Sequence, residues 1–287
     1  MAARKPIAVG TNDTPQSHAA VSWAARRAHR DRLPLVILHV VDERWLSEPY
    51  PWRSVLQESG ERILEAAAAR ARAFPSLEVS TAVLAGGVGR SLANYSDRVS
   101  MLVVGSGSGH LGGVLADRAL QVASSADVPV AVVGTQATEG RPGVVVGVDG
   151  SEEAVRAVAF AAAEADREGD ELTVVYAYSP PDRLPDAGFT PELVAELMEK
   201  EERIVLSETV AGLMADYPDL VVHQRLEPGR DPAQALVQAA EGARLLVVGN
   251  RGRGGISRLV LGSTAHGVLK RLPCPTIITR IRPLNQK

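Results

Sequence analysis

The chain is written twice, and this constrains its fold more than any other feature of its 287 residues. Near the start stands "IAVGTNDTPQSHAAVSWAA" (7–25), answered by "VVVGVDGSEEAVRAVAFAA" (144–162). Gly10 falls on Gly147, Asn12 on Asp149 and Trp23 on Phe160. At the same offset "LVILHVV" (35–41) overlies "LTVVYAY" (172–178), and further on "MLVVGSGSG" (101–109) pairs with "LLVVGNRGR" (245–253). Self-similarity over half a chain means two copies of one folding unit. The length agrees, at about twice the ~150-residue prior for a domain. The copies meet at "GTQATEGRPG" (134–143), whose small, polar, Gly- and Pro-bearing composition suits a linker, so the domains are placed at 1–137 and 142–287.

Within each copy, short β-branched runs alternate with longer Ala-rich segments. In the second, "VVVGV" and "LTVVYAY" read as buried strands, and Ala154, Val155, Val158, Ala162 and Ala165 recur between them at helical spacing. Ser151 is a candidate N-cap, with Glu152 and Glu153 in the first turn; Thr14 and Pro15 take the same places in the first copy. A third strand is expected at 220–226, a helix from Pro232, a fourth strand at "RLLVVG" and a fifth at "PTIITR". Strands alternating with helices predict an α/β fold: two tandem doubly wound, Rossmann-like domains, each on a five-stranded parallel sheet with an added pairing strand at its edge. Ligands of such sheets bind beyond the C-terminal strand ends, where the winding reverses.

At one of those ends lies "GNRGRGGISRLVLGST" (249–264), with five glycines and three arginines. A phosphate chain is held well by backbone N–H groups that no Cβ obstructs, and Gly249, Gly252, Gly254 and Gly255 remove that obstacle. Gly262, Ser263 and Thr264 would open the next helix and turn N–H groups and hydroxyls toward an anion, while Arg251 and Arg253 add positive charge.

The spacing Gly249-x2-Gly252-x9-Gly262-Ser263 after "LLVV", together with "VVVGVDGSEEAVRAV", resembles the ATP-binding signature of the universal stress protein family in its tandem form, over nearly the whole chain. The resemblance implies that Gly147, Val148 and Asp149 line the adenosine, that the Asp149 carboxylate reaches the ribose or a phosphate-bound Mg2+, and that the backbone of Ala177 meets the adenine edge. It further implies that Gly249, Asn250, Arg251, Gly252, Arg253 and Gly254 wrap the phosphates, closed by Gly262, Ser263 and Thr264. The family likeness also suggests that the fifth strands pair within the chain and that two chains associate as a homodimer.

The first copy departs from the signature. From Gly105 the second glycine position falls on Ser108, Asn12 replaces the aspartate, and both arginines are missing from a loop two residues shorter. With "VP" (128–129) aligned to "CP" (274–275), Ala116 and Asp117 occupy the places of Gly262 and Ser263. All these changes weaken phosphate binding, so ATP is expected mainly in the second domain. Gly107-x-Gly109-x-x-Gly112 satisfies a dinucleotide fingerprint, but it follows a fourth strand, whereas that fingerprint belongs after a first. "GSGSG" (105–109) lacks a nucleophile, because its central residue is Gly107.

Composition narrows the function. A net charge of −3 gives no electrostatic footprint for nucleic acid or an anionic membrane, and no apolar stretch approaches the ~20 residues of a bilayer span. One cysteine, Cys274, excludes an intrachain disulfide, and the six histidines show no metal-ligand spacing; His39 ends a buried strand opposite its repeat partner Tyr176, and His266 lies just past Ser263. No signal peptide is visible at the start, and the expectation is a cytoplasmic protein. The segment after each second strand, "VDERWLSEPYPWRSV" with Trp45, Tyr50 and Trp52, and "YSPPDRLPDAGFTPEL", reads as a loop that lids a ligand or contacts a partner. Three functions stay open: an ATP-binding stress regulator acting through a protein partner, a slow ATPase with Asp149 on magnesium, and a scaffold that nucleotide merely stabilises.

Overall fold

The computed structural model describes residues 4–42, 52–106, 114–136, 140–179, 190–252 and 261–280. Two compact units emerge, Met1–Ala137 with Arg280–Lys287, and Thr138–Thr279. The first runs β1 (Ile7–Gly10), α1 (Pro15–Asp31), β2 (Leu35–Val41), α2 (Trp52–Ala71), β3 (Val79–Ala85), α3 (Val88–Asn94), β4 (Met101–Gly105), α4 (Val114–Ser125) and β5 (Val130–Val133). The second runs β6 (Val144–Val148), α5 (Glu152–Glu168), β7 (Leu172–Tyr178), α6 (Pro191–Val210), α7 (Leu213–Asp216), β8 (Val222–Pro228), α8 (Pro232–Ala239), β9 (Leu245–Gly249), α9 (Ser263–Arg271) and β10 (Thr276–Thr279).

Within the units the strands order as β3-β2-β1-β4-β5 and β8-β7-β6-β9-β10, and the registered pairs are parallel. The repeat extends to the register: Ile7 sits opposite Leu35 and Met101, and Val144 sits opposite Leu172 and Leu245. The winding reverses between β1 and β4, and between β6 and β9, which opens a crevice at those strand ends. Helices α1 and α2 pack together over one set of strands, and α3 packs with α4; in the second unit α5 meets α6, and α8 meets α9.

Each core forms where β-branched strands meet alanine-rich helix faces. Ile7, Leu35, Ile37 and Leu102 are buried in the first unit, and Leu172, Leu245, Leu246 and Ile277 in the second. Small residues let the helices come close. A Cβ on Gly267 of α9 would stand 2.6 Å from the Cβ of Ala233 of α8. Ser151 caps α5 by accepting from the Ala154 N–H at 3.2 Å, and Thr14 caps α1, as the sequence predicts; Ser17 completes a reciprocal box with Thr14. Val155 departs from the expected inward stripe: it is 49% exposed, and Ala157 and Ala161 complete the buried face instead. The third strand of the second unit also begins at Val222, later than the apolar run at Leu220 suggested. Leu220 closes a turn by donating its N–H to the Tyr217 carbonyl. Among the described residues no helix is long and apolar enough to cross a membrane.

Candidate functional site

In the second unit a cleft of about 680 Å³ opens at the reversal between β6 and β9, within the ~300–1,000 Å³ range of small-ligand sites. Three elements meet there. Strand β6 ends at Val148 and leads into Asp149, β9 ends at Gly249 and leads into Arg251 and Gly252, and α9 begins with Ser263 and Thr264. Strand order separates the chemistry. Tyr176, Ala177 and Tyr178 at the end of β7 form an apolar and aromatic wall, and the glycine turn and the start of α9 lie two strand spacings away, about 10 Å. Asp149 stands between the two.

The start of α9 is shaped for an anion. Its N-cap is Gly262, which supplies no capping side chain, and the first helical bond runs from His266 N–H to the Gly262 carbonyl. Ser263, Thr264 and Ala265 therefore face the cleft with N–H groups that the helix itself cannot satisfy, at the positive end of its dipole.

Asp149 has two duties. Its Oδ1 accepts the Ser151 N–H at 3.0 Å, closing the turn before α5 in which Gly150 has φ of 74°. Its Oδ2 lies where a Cβ on Gly252 would be, so glycine at 252 is what lets this carboxylate lie across the loop. Gly147 serves packing as well as lining: a Cβ there would stand 2.6 Å from Leu236 Cδ1 of α8, which floors the cleft. Gly262 donates its own N–H to the Asn250 carbonyl at 2.9 Å.

The structure thus brings together Gly147, Val148, Asp149, Ala177, Gly249, Arg251, Gly252, Gly262, Ser263 and Thr264 of the predicted set. Asn250 is placed elsewhere. It is 8% exposed, gives its main-chain N–H to the Thr279 carbonyl at 3.0 Å and its carbonyl to Gly262, and so braces the loop from behind. Arg253, Gly254 and Gly255 lie outside the described residues, as do Trp45 and Tyr50. Sequence reasoning missed Tyr178, Pro232, Leu236 and Leu261, and gave Tyr176 no binding role. The strand register carried a signal for the tyrosine, since Tyr176 pairs with Val148; nothing in the sequence marks Leu236 as the floor.

The aromatic wall is anchored from outside. Tyr176 donates its hydroxyl to Glu202 Oε2 of α6 at 2.5 Å. Burial, reinforced by the negative charges of Glu199 and Glu202, raises the Tyr178 phenol above its ordinary value and keeps it protonated.

The corresponding crevice of the first unit has about 120 Å³. Its polar groups bind one another: Thr14 Oγ1 donates to Asn12 Oδ1 at 2.8 Å, and Ser17 Oγ accepts from the Thr14 N–H at 3.0 Å and donates to the Thr14 carbonyl at 2.9 Å. Val40 stands where the second unit has Ala177, narrowing the wall. His39 keeps its Nδ1 at 2.9 Å from the Thr11 carbonyl, and because that carbonyl can only accept, Nδ1 carries the proton. The side chains of Ala116 and Asp117, and all of Ser108, fall outside the described residues.

Among the described residues no group of three or more His, Cys, Asp or Glu is arranged to hold a metal ion. A divalent cation would enter this cleft with Asp149 as its protein ligand and phosphate oxygens as the rest, a donor set that suits magnesium.

Comparison with known proteins agrees with this architecture. The profile described as the universal stress protein family matches twice, over residues 3–134 and 142–280. A universal stress protein of Mycolicibacterium smegmatis is 33% identical over 292 aligned residues, covering 96% of this chain and 97% of its own. One from Mycobacterium tuberculosis is 32% identical, covering 96% of each chain. The crystal structure of a universal stress protein from Archaeoglobus fulgidus superposes with a TM-score of 0.72 at 20% identity, covering 96% of both chains, a likeness of fold.

Proposed function

Given that the chain belongs to the universal stress protein family, we propose that its second unit binds ATP and that the protein is a nucleotide-dependent stress regulator, read by a protein partner. The observation that carries this is the 680 Å³ cleft, with the uncapped N-terminus of α9 on one side and the tyrosine-lined end of β7 on the other. Adenine packs against Tyr176, Ala177 and Leu236, the ribose hydroxyls meet Asp149, and the phosphates lie over Gly249 and Gly252 against Ser263 and Thr264. Bound magnesium supplies charge neutralisation of the phosphates. Among the described residues lining the cleft Asp149 is the one carboxylate, and its Oδ1 already accepts the Ser151 N–H that closes a turn. This favours binding over turnover. The first unit, with 120 Å³ and an internally bonded loop, binds no ATP.

The test is calorimetric titration of the full chain with Mg-ATP. One site per chain is expected, and Gly252→Glu abolishes it by driving a second carboxylate into the place of Asp149. Two sites per chain would reject the assignment of the first unit. No heat and no retained nucleotide in the unsubstituted protein would reject the function.

A further inference from the structure

Resting on the assignment of the cleft to an adenine nucleotide, we propose that its ligand is an adenosine polyphosphate longer than the triphosphate, whose distal phosphates run along α9 beyond Ser263. A second groove of about 770 Å³ adjoins the first and shares Leu261 and Ser263 with it. It is lined by Asp231, Ala233 and Gln234 at the start of α8, and by His266, Gly267, Lys270 and Arg271 of α9.

Three features fit this groove to an extended anion. Ser263, Gly267 and Lys270 share one face of α9, with His266 beside them, and helical side chains lean toward the N-terminus, so Lys270 reaches back toward the phosphate end of the cleft. Lys270 and Ser263 are about 10 Å apart along the axis, a gap that one or two further phosphate groups and a lysine side chain close together. Gly267 lets α8 come close and wall the groove between them, because Ala233 of α8 occupies the space its Cβ would take. The groove's one acid, Asp231, is committed to capping α8 through the Gln234 N–H at 2.9 Å, and two cations outnumber it. Lys270 and Arg271 also complement the C-terminal dipole of α9, a role that would leave nucleotide preference untouched.

The experiment compares ATP with adenosine 5′-tetraphosphate on the full chain at one fixed ionic strength, with unsubstituted protein and Lys270→Gln, each checked for a cooperative unfolding transition above the assay temperature. The tetraphosphate should bind about tenfold more tightly than ATP through one added charge-assisted contact, and Lys270→Gln should erase that gain while leaving ATP affinity as it was. Equal affinity for the two ligands overturns the inference and leaves the ATP assignment standing. So does a Lys270→Gln protein that loses both ligands alike, since that marks a diffuse charge effect. If neither nucleotide binds, the assignment of the cleft fails and takes the inference with it.

Discussion

Gly105 and Gly249 occupy the same place in the two repeats, the last residue of the fourth strand, yet adding one methyl group to each should have very different consequences. A Cβ on Gly105 would stand 2.6 Å from both the carbonyl carbon and the oxygen of Gln16, and 2.9 Å from the Ser17 nitrogen. Carbon atoms in contact settle at about 3.5–4.0 Å, so the overlap is roughly 1 Å, and it is with backbone that no rotamer change can relieve. The first turn of α1 must move, together with its capping box. Overpacking of this kind costs about 2–3 kcal/mol, which lowers the melting temperature of a unit this size by about 6–9 °C. A Cβ on Gly249 would meet the Arg251 carbonyl oxygen at 3.1 Å, Glu153 Cβ at 3.8 Å and the Glu153 carbonyl oxygen at 3.9 Å. A shift of a few tenths of an ångström accommodates it, and the loss of unfolded-state freedom offsets the strain, so Gly249→Ala should stay within about 1 kcal/mol of the unsubstituted protein. The assay is urea unfolding of the full chain, reading the midpoint at unchanged slope. Equal shifts for the two variants, or a larger one for Gly249→Ala, would refute the reasoning that α1 is clamped against β4 while α5 leaves its cleft open.

Two more measurements probe the scaffold. Arg244→Ala removes the guanidinium that bonds Asp170 Oδ2 at 2.5 Å and the Glu164 carbonyl at 3.2 Å; because Asp170 is largely buried, the loss should cost about 1–3 kcal/mol, read by the same unfolding assay. Cys274 is 1% exposed, and burial pushes its thiol up to about 12, which leaves roughly one thiolate in ten thousand at pH 8. A disulfide-exchange reagent should therefore leave the native protein unlabelled and consume one thiol after denaturation; fast native labelling would contradict the packing around β10. Because the folded thiol titrates above the unfolded one, its contribution to stability is complete below about pH 9 and is lost as the pH climbs toward 12.

Much of this protein is legible as text because duplication makes its own alignment. The ends of β6 and β9, the caps at Thr14 and Ser151, and Gly249, Gly252 and Gly262 of the second loop follow from residue chemistry acting over a few positions, and the structure has them where local rules put them. Val155 turns outward, and Asn250 spends its main-chain groups on Thr279 and Gly262; helical spacing and motif membership say that a residue is near a surface without saying which one it faces.

The sequence by itself determined the two α/β units, the strand ends at which a ligand can sit, and the asymmetry between an intact and an eroded glycine loop. Only the tertiary structure decided that Leu236 floors the cleft against Gly147 and that Gly252 is bare to admit the Asp149 carboxylate. The physical reason is range. Propensity and capping act between near neighbours in the chain, whereas the room above a glycine is set by whichever distant element packing brings against it, and close-packed interiors leave that distance little freedom.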